Sequence, residues 1–153
     1  MKTVRTAARA LILQQDKVLT IKMKGPSGVF YVLPGGGQKH GESLKEGLQR
    51  ECREEIGVEV EIGAMVYCRD YIGKHHNFYK FHYDFHQLEV VFCCKVEFEK
   101  VKEMGESPDN LQVGVQWIPV AEVNQYPLYP SFLKEAIFNE NLDQIPAYLG
   151  DVN

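Results

Sequence analysis

Glu51, Glu54 and Glu55 stand at positions i, i+3 and i+4. On a helix this spacing places three carboxylates within one turn of a single face, with Cβ atoms about 5–6 Å apart. Three like charges so placed repel one another, so either the face is fully solvated or a divalent cation gathers it. Carboxylate oxygens are hard ligands suited to Mg²⁺ or Mn²⁺. Just upstream, Gly35, Gly36 and Gly37 let the backbone turn sharply and approach a ligand closely, and Glu42 completes that loop. Arg50, four residues before Glu54, can tie down the acids of loop and helix; the same spacing also describes an ordinary ion pair on a helix face.

The charge distribution singles out the same stretch. The 153-residue chain has a formal charge of −4, and the window Glu42 to Glu61 carries seven glutamates against three basic residues, which accounts for all of it. A solubilising surface would spread its excess, whereas a concentrated one asks what cation it holds.

The elements that must position these groups can be read from pattern and punctuation. Ser43 followed by Glu46 is a capping-box pair and Gly57 a C-terminal stop, so Leu44 to Ile56 is expected to be a helix with Leu44, Leu48, Cys52 and Ile56 on its apolar stripe. Thr6 to Leu13 and Val18 to Met23 read as a hairpin, and Val29 to Leu33 as a short strand stopped by Pro34. Further strands are expected at Val58 to Ile62, Met65 to Tyr71, Leu88 to Phe98 and Val113 to Ile118, with a charged loop from Glu99 to Asn110. A helical turn near Val120 and a helix at Ser131 to Asn139 close the pattern. One α/β domain follows, a mixed β-sheet with helices on two faces.

Composition removes several classes of protein. The 44% apolar and 25% charged content is that of a globular chain able to bury a core, not a disordered or low-complexity one. No apolar run approaches the ~18 residues of a membrane span, and residues 1–16 lack a signal-peptide pattern, so a cytoplasmic location is expected and no membrane partner. Cys52, Cys68, Cys93 and Cys94 form no CxxC pair and read as reduced, mostly buried thiols. No basic run supports a stable nucleic-acid complex, although a small phosphorylated ligand fits.

Gly36, Glu42, Arg50, Glu51, Cys52, Glu54, Glu55, Gly57 and Val58 fall on the pattern G-x5-E-x7-R-E-U-x-E-E-x-G-U, where U is bulky and apolar. On these positions the chain resembles the Nudix (MutT-like) hydrolases, with Cys52 an unusual choice at U. The likeness extends from the segment before Pro34 to Trp117-Ile118-Pro119 ahead of the last helix. It implies an α/β/α sandwich and Mg²⁺- or Mn²⁺-dependent cleavage of a diphosphate linkage in a nucleoside diphosphate joined to another group. By the same resemblance Glu51, Glu54 and Glu55, with the Gly36 carbonyl, are metal ligands, and Glu42 and Arg50 brace the loop. Glu51 is the first choice for general base and Glu54 the second, with Glu103, Glu106 and Asp109 as loop alternatives. Gln112 and Gln116 stand near Trp117, where relatives often carry a glutamate.

Substrate contacts are read from aromatic and basic side chains. Tyr31, Arg69, Tyr71, Phe78, Tyr79 and Tyr129 qualify, as does His40 within the glycine-rich loop. The His-bearing segment from Arg69 to Gln87 reads as a substrate lid, a dimer-forming ribbon or a hydrophilic hairpin loop; its histidines, His75, His76, His82 and His86, lack metal-ligand spacing. A homodimer is compatible with this segment. The resemblance ranks a sugar nucleotide such as ADP-ribose first, a nucleoside triphosphate second, and a non-catalytic nucleotide-binding module third.

Overall fold

A computed structural model describes all 153 residues. Its strands are β1 (Arg5–Leu11), β2 (Leu13–Gln14), β3 (Lys17–Gly25), β4 (Gly28–Val32), β5 (Gly35–Gly37), β6 (Glu61–Ile72), β7 (His86–Lys95), β8 (Gln112–Pro119), β9 (Leu128–Tyr129) and β10 (Tyr148–Asp151). The helices are α1 (Leu44–Ile56), α2 (Tyr79–His82) and α3 (Phe132–Phe138). The strands form two mixed sheets. One has the order β10-β6-β7-β1-β5; the other has β2-β3-β4-β9, with β8 also pairing to β3. No helix is long and apolar enough to cross a membrane.

The expected first hairpin divides between the sheets. β1 runs parallel to β7, while β3 pairs with β4 and β8, and only the stub Leu13–Gln14 makes the tight antiparallel return against Lys17 and Val18. The chain therefore changes sheets at Ile12. Similarly, the strand expected at Met65 to Tyr71 extends back through Gly63 to Glu61 as β6, whose register against β7 shifts between Ile62 and Tyr67, whereas Val58 to Val60, expected to begin a strand, lie outside any. The extra residues are absorbed as bulges, which bend a strand without ending it.

Two apolar cores sit on opposite faces of the first sheet. On one, Leu48, Cys52 and Ile56 of α1 pack on Ala8 and Ala10 of β1 and on Val90, Phe92 and Cys94 of β7. On the other, Leu11, Tyr67 and Val91 meet Leu133 and Ile137 of α3. Helices thus cover both faces. Small alanines on β1 let α1 lie close, and the Cys52 thiol, fully buried and shifted further from ionisation by that burial, fills the seam as an apolar group. Cys94 is also buried, whereas Cys68 is half-buried and Cys93 exposed.

Both ends of α1 are closed. Ser43 accepts from the Glu46 amide at 3.1 Å and Glu46 accepts from the Ser43 amide at 2.7 Å, and Gly57 adopts φ 70°. The last four carbonyls of a helix lack partners within it. Here Arg53 is met by the Gly57 amide, Glu54 by Ser107, Glu55 by Gly105 and the Gln112 side chain, and Ile56 by Lys102, all at 2.9–3.2 Å. The charged loop is thus a backbone cap that fixes the end of the helix bearing Glu54 and Glu55.

Candidate functional site

The acidic face of α1 lies against β5. The Glu51 carboxylate stands over Gly36, where an added Cβ would come within 2.6 Å of its carboxyl carbon, so a side chain there would displace it. Glu55 accepts the Gly35 amide at 2.8 Å and is almost fully buried. That burial, only partly countered by Arg9 and the Gly35 amide, pushes its carboxyl up to about 8.

Arg50 ties loop and helix together. It donates to both Glu42 oxygens at 3.1 and 2.7 Å, to the Gly37 carbonyl at 2.9 Å, to Glu51 at 3.0 Å and to Glu54 at 3.3 Å. With the added hydrogen bond from the Lys39 amide, this pairing holds the Glu42 carboxyl down at about 2. A folded-state value below the ordinary one means that the brace stabilises the protein above about pH 4.5 and is lost as pH falls toward 2. Between pH 5 and 2, thermal midpoints of Glu42→Gln should therefore fall less steeply than those of the native chain.

No three His, Cys, Asp or Glu side chains converge on one point in this arrangement, because Arg50 engages Glu51 and Glu54 while the Gly35 amide engages Glu55. The donor set nonetheless fits a hard divalent cation. It is oxygen-only and lies on one helix face, and buried Glu55 has no basic side chain within salt-bridge distance. Strand register places the carbonyls of β5. The Ala10 amide donates to the Pro34 carbonyl and the Gln38 amide to the Thr6 carbonyl, each at 2.8 Å, so Ala8 and Gly36 form the hydrogen-bonded pair between them. The ladder therefore takes the Gly36 carbonyl, whereas those of Gly35 and Gly37 face off it and accept from Arg9 and Arg50.

Glu51, Glu55, Gly35 and Gly36 form one end of a cleft of about 290 Å³. Its floor is the first sheet, where period-two alternation brings Arg5 and Arg9 of β1, Gln87 and Glu89 of β7, and Arg69 and Tyr71 of β6 to the same face. Glu89 is fully buried between Arg69, at 3.0 Å, and Arg9, at 3.4 Å. Burial alone would raise its carboxyl; the two guanidinium groups outweigh that and hold it ionised, below the usual range. Arg9 is fixed further by the Leu33 and Gly35 carbonyls at 3.1 and 2.8 Å. The rings of Phe30, Phe78, Phe85 and Tyr129 also line it, with the Arg5 guanidinium 5.8 Å from the centre of the Phe85 ring.

Of the residues read as candidate substrate contacts, Arg69, Tyr71, Phe78 and Tyr129 line the cleft, and so does Asp109. Tyr31 does not. It shares β4 with Phe30 and Val32, and alternation turns it into the second core, edge-on to Tyr126 at 5.3 Å, while its neighbours face the cleft. His40, Tyr79, Glu103 and Glu106 are exposed and outside the cleft lining. The segment expected as lid, ribbon or loop contributes Phe78, His82 and Phe85 to the wall, and the His82 ring is joined to the Tyr71 hydroxyl at 2.8 Å. His75 and His76 instead hold Asp151 of β10, each at 2.6 Å. Arg5, Arg9, Phe30 and Glu89 were not anticipated; a charge inside a strand of small apolar residues is the signal that could have found Arg9.

The NUDIX domain profile matches residues 3–138, which contain both the acidic helix and the arginine-bearing strands. The chain belongs to the NUDIX domain family. The nucleoside triphosphatase NudI of Enterobacter sp. (strain 638) is 41% identical over 64 residues, a stretch covering 40% of this chain and 45% of that protein. This Nudix domain also shares its fold with solved structures. A NUDIX hydrolase from Nitrosomonas europaea superposes with a TM-score of 0.70 at 16% identity, over 93% of this chain and 91% of that one. An ADP-ribose pyrophosphatase from Streptococcus suis 89-1591 does so with 0.60 at 20% identity, over 97% and 98%. The α/β architecture with helices on both faces is that of the family.

Proposed function

We propose that this Nudix domain hydrolyses the diphosphate linkage of a nucleoside diphosphate joined to a second group, with a sugar nucleotide such as ADP-ribose as substrate. The observation that carries the reading is the cleft itself: Glu51 and Glu55 of α1, three arginines, Arg5, Arg9 and Arg69, and several aromatic rings line one cavity. A ligand suited to it carries anionic oxygens in its middle and a flat group at one end.

A divalent cation, Mg²⁺ or Mn²⁺, held by Glu51, Glu54 and Glu55 would neutralise phosphate oxygens and lower the pKa of an attacking water. Glu51, seated over Gly36 at the cleft end, is the group that would accept the water's proton. Arg9 and Arg69, held by Glu89, would orient the phosphates with planar, preorganised donors. Arg50, which donates to Glu42 and the Gly37 carbonyl, would keep loop and helix together beside these carboxylates. Asp109 lines the cleft and is the loop carboxylate placed to act if Glu51 does not.

A nucleoside triphosphate is the second reading, favoured by the named activity of the NudI relative. A panel of ADP-ribose, other sugar nucleotides, dinucleotide polyphosphates and nucleoside triphosphates, assayed with Mg²⁺ or Mn²⁺, separates the two. ADP-ribose should give AMP and ribose 5-phosphate with kcat/KM at least about tenfold above any triphosphate, a difference of about 1.4 kcal/mol in transition-state binding. The reverse ranking would replace the first reading by the second, and no turnover of any member would remove both.

A further inference from the structure

Two amide side chains that line the cleft each keep one end without a partner. Gln87 of β7 is almost fully buried, and its Oε1 makes no hydrogen bond; the Nδ2 of Asn153 is likewise buried and unpaired. Asn153 lies outside residues 3–138, which match the family profile, so its place in the cleft is not supplied by the Nudix pattern.

The Arg69–Glu89 ion pair sets which end of each amide is free. Glu89 is ionised and can only accept, so Gln87 turns its Nε2 toward it, at 3.3 Å, and presents its oxygen. Arg69 can only donate, so Asn153 turns its Oδ1 toward it, at 3.2 Å, and presents its NH₂ group. Neither amide can flip without setting an oxygen against a carboxylate or an NH₂ group against a guanidinium. The backbone that carries Asn153 is fixed as well. Asp151 takes His75, His76 and the Ile72 amide, the Val152 carbonyl accepts from Arg69, and the Asn153 carbonyl accepts from Ser131 at 3.0 Å.

One fixed acceptor and one fixed donor select their ligand. An anionic oxygen can accept from Asn153 but would face the Gln87 oxygen with no proton between them, and an apolar group would leave both amides unpaired, at a cost for each. A hydroxyl both donates and accepts, and two neighbouring hydroxyls can serve the two amides at once. A base edge also carries donors and acceptors. Arg69, however, bonds Asn153 directly, so the group at Asn153 lies next to any phosphate that Arg69 orients. In a nucleotide that group is the sugar, and the base is one unit further out.

We infer that Gln87 and Asn153 bind the ribose hydroxyls of the nucleotide, and that the domain therefore prefers ribonucleotides to their deoxy counterparts. This rests on the nucleotide reading of the cleft. Gln87 supplies the acceptor, Asn153 the donor, and the Arg69–Glu89 pair keeps each from turning. A sugar lacking one hydroxyl leaves a buried amide end without a partner, which is how a polar site rejects an analogue of nearly the same shape.

Calorimetric titration in Mg²⁺ buffer with AMP, 2′-deoxy-AMP and 3′-deoxy-AMP tests this. AMP should bind more tightly than at least one deoxy analogue by about fivefold or more, the effect of leaving a buried polar group unpaired. Asn153→Asp keeps the oxygen that Arg69 bonds and exchanges the NH₂ group for a second oxygen, so it separates the donor from the support of Arg69. In that variant the preference for AMP should fall to within about twofold, whatever the added charge does to the affinity for all three ligands. Gln87→Met, similar in volume and checked for folding by circular dichroism, should lose the preference in the same way. No binding of AMP, a preference below about fivefold over both analogues, or a preference that survives in both variants would overturn the inference. So would a ranking among AMP, GMP, CMP and UMP that the two variants abolish, for it would give the amides to a base edge. A ribose preference without turnover of any substrate would sink the hydrolase reading and leave Gln87 and Asn153 as sugar contacts; turnover of ADP-ribose with equal binding of AMP and both analogues would do the opposite.

Discussion

Glu51→Gln should lower kcat for ADP-ribose by about 10²–10⁴-fold, the range for removing a group that accepts a proton in the rate-limiting step. The substitution keeps shape and volume, so the close approach to Gly36 survives, and one side-chain oxygen remains for Arg50 at its 3.0 Å position. What it removes is the charge. The fold should stay intact, because α1 is held by its buried stripe and by caps at both ends that do not involve the Glu51 side chain. Glu59→Gln is the matched control, since that residue is exposed and its contact with Arg53 is a loose 3.6 Å. Rates from purified variants, with circular dichroism to confirm folding, decide the matter: Glu51→Gln activity within tenfold of native would remove Glu51 from the role of base and pass it to Glu54 or Asp109.

Gly35→Ala should cost about 3 kcal/mol or more of stability and lower the thermal midpoint by roughly 10 °C. Gly35 has φ 133°, and a Cβ built on it would lie 2.1 Å from the Ala8 carbonyl oxygen and 2.8 Å from the Arg9 α-carbon. Neither obstacle is a flexible side chain. To relieve the contact β5 must leave β1, which releases the Gly35 amide from Glu55 and the Gly35 carbonyl from Arg9. Structural and functional losses should therefore coincide. Gly41→Ala separates strain from collision: Gly41 also has positive φ, 89°, but nothing lies within 4 Å of the added carbon, so its cost should stay near 1 kcal/mol. Urea unfolding of the two variants measures the contrast, and equal costs would show that backbone strain alone requires glycine at position 35.

Which parts of this arrangement were legible beforehand follows from the range of the interactions that make them. The helix Leu44–Ile56 was readable to the residue because its signals are local: a capping box, an apolar stripe and a left-handed stop all lie within fifteen residues. The carboxylate face and the arginine brace were readable for the same reason. Partners across the fold were not. Nothing in the alternation of residues 6–13 says that the strand crosses from one sheet to the other at Ile12, since apolar side chains are needed on either side of the crossing. The strand β10 escaped notice because it is short, and it is held by distant groups, His75 and His76 on Asp151 and Asp70 on Tyr148. Arg9 and Glu89 were invisible as a pair because eighty positions separate them and only the parallel register of β1 and β7 brings them together. The cap on α1 is made largely by backbone amides, which leave little mark on side-chain pattern.

Mn²⁺ titration followed by electron paramagnetic resonance tests, without reference to any substrate, the proposal that the carboxylates of α1 hold a divalent cation beside the arginine cleft. The native protein should bind Mn²⁺ at a saturable site, with affinity at least about tenfold weaker in both Glu51→Gln and Glu54→Gln and unchanged in Glu59→Gln, as expected when a charged oxygen ligand is lost. Equal Mn²⁺ affinity in the native protein and in those two variants would contradict it.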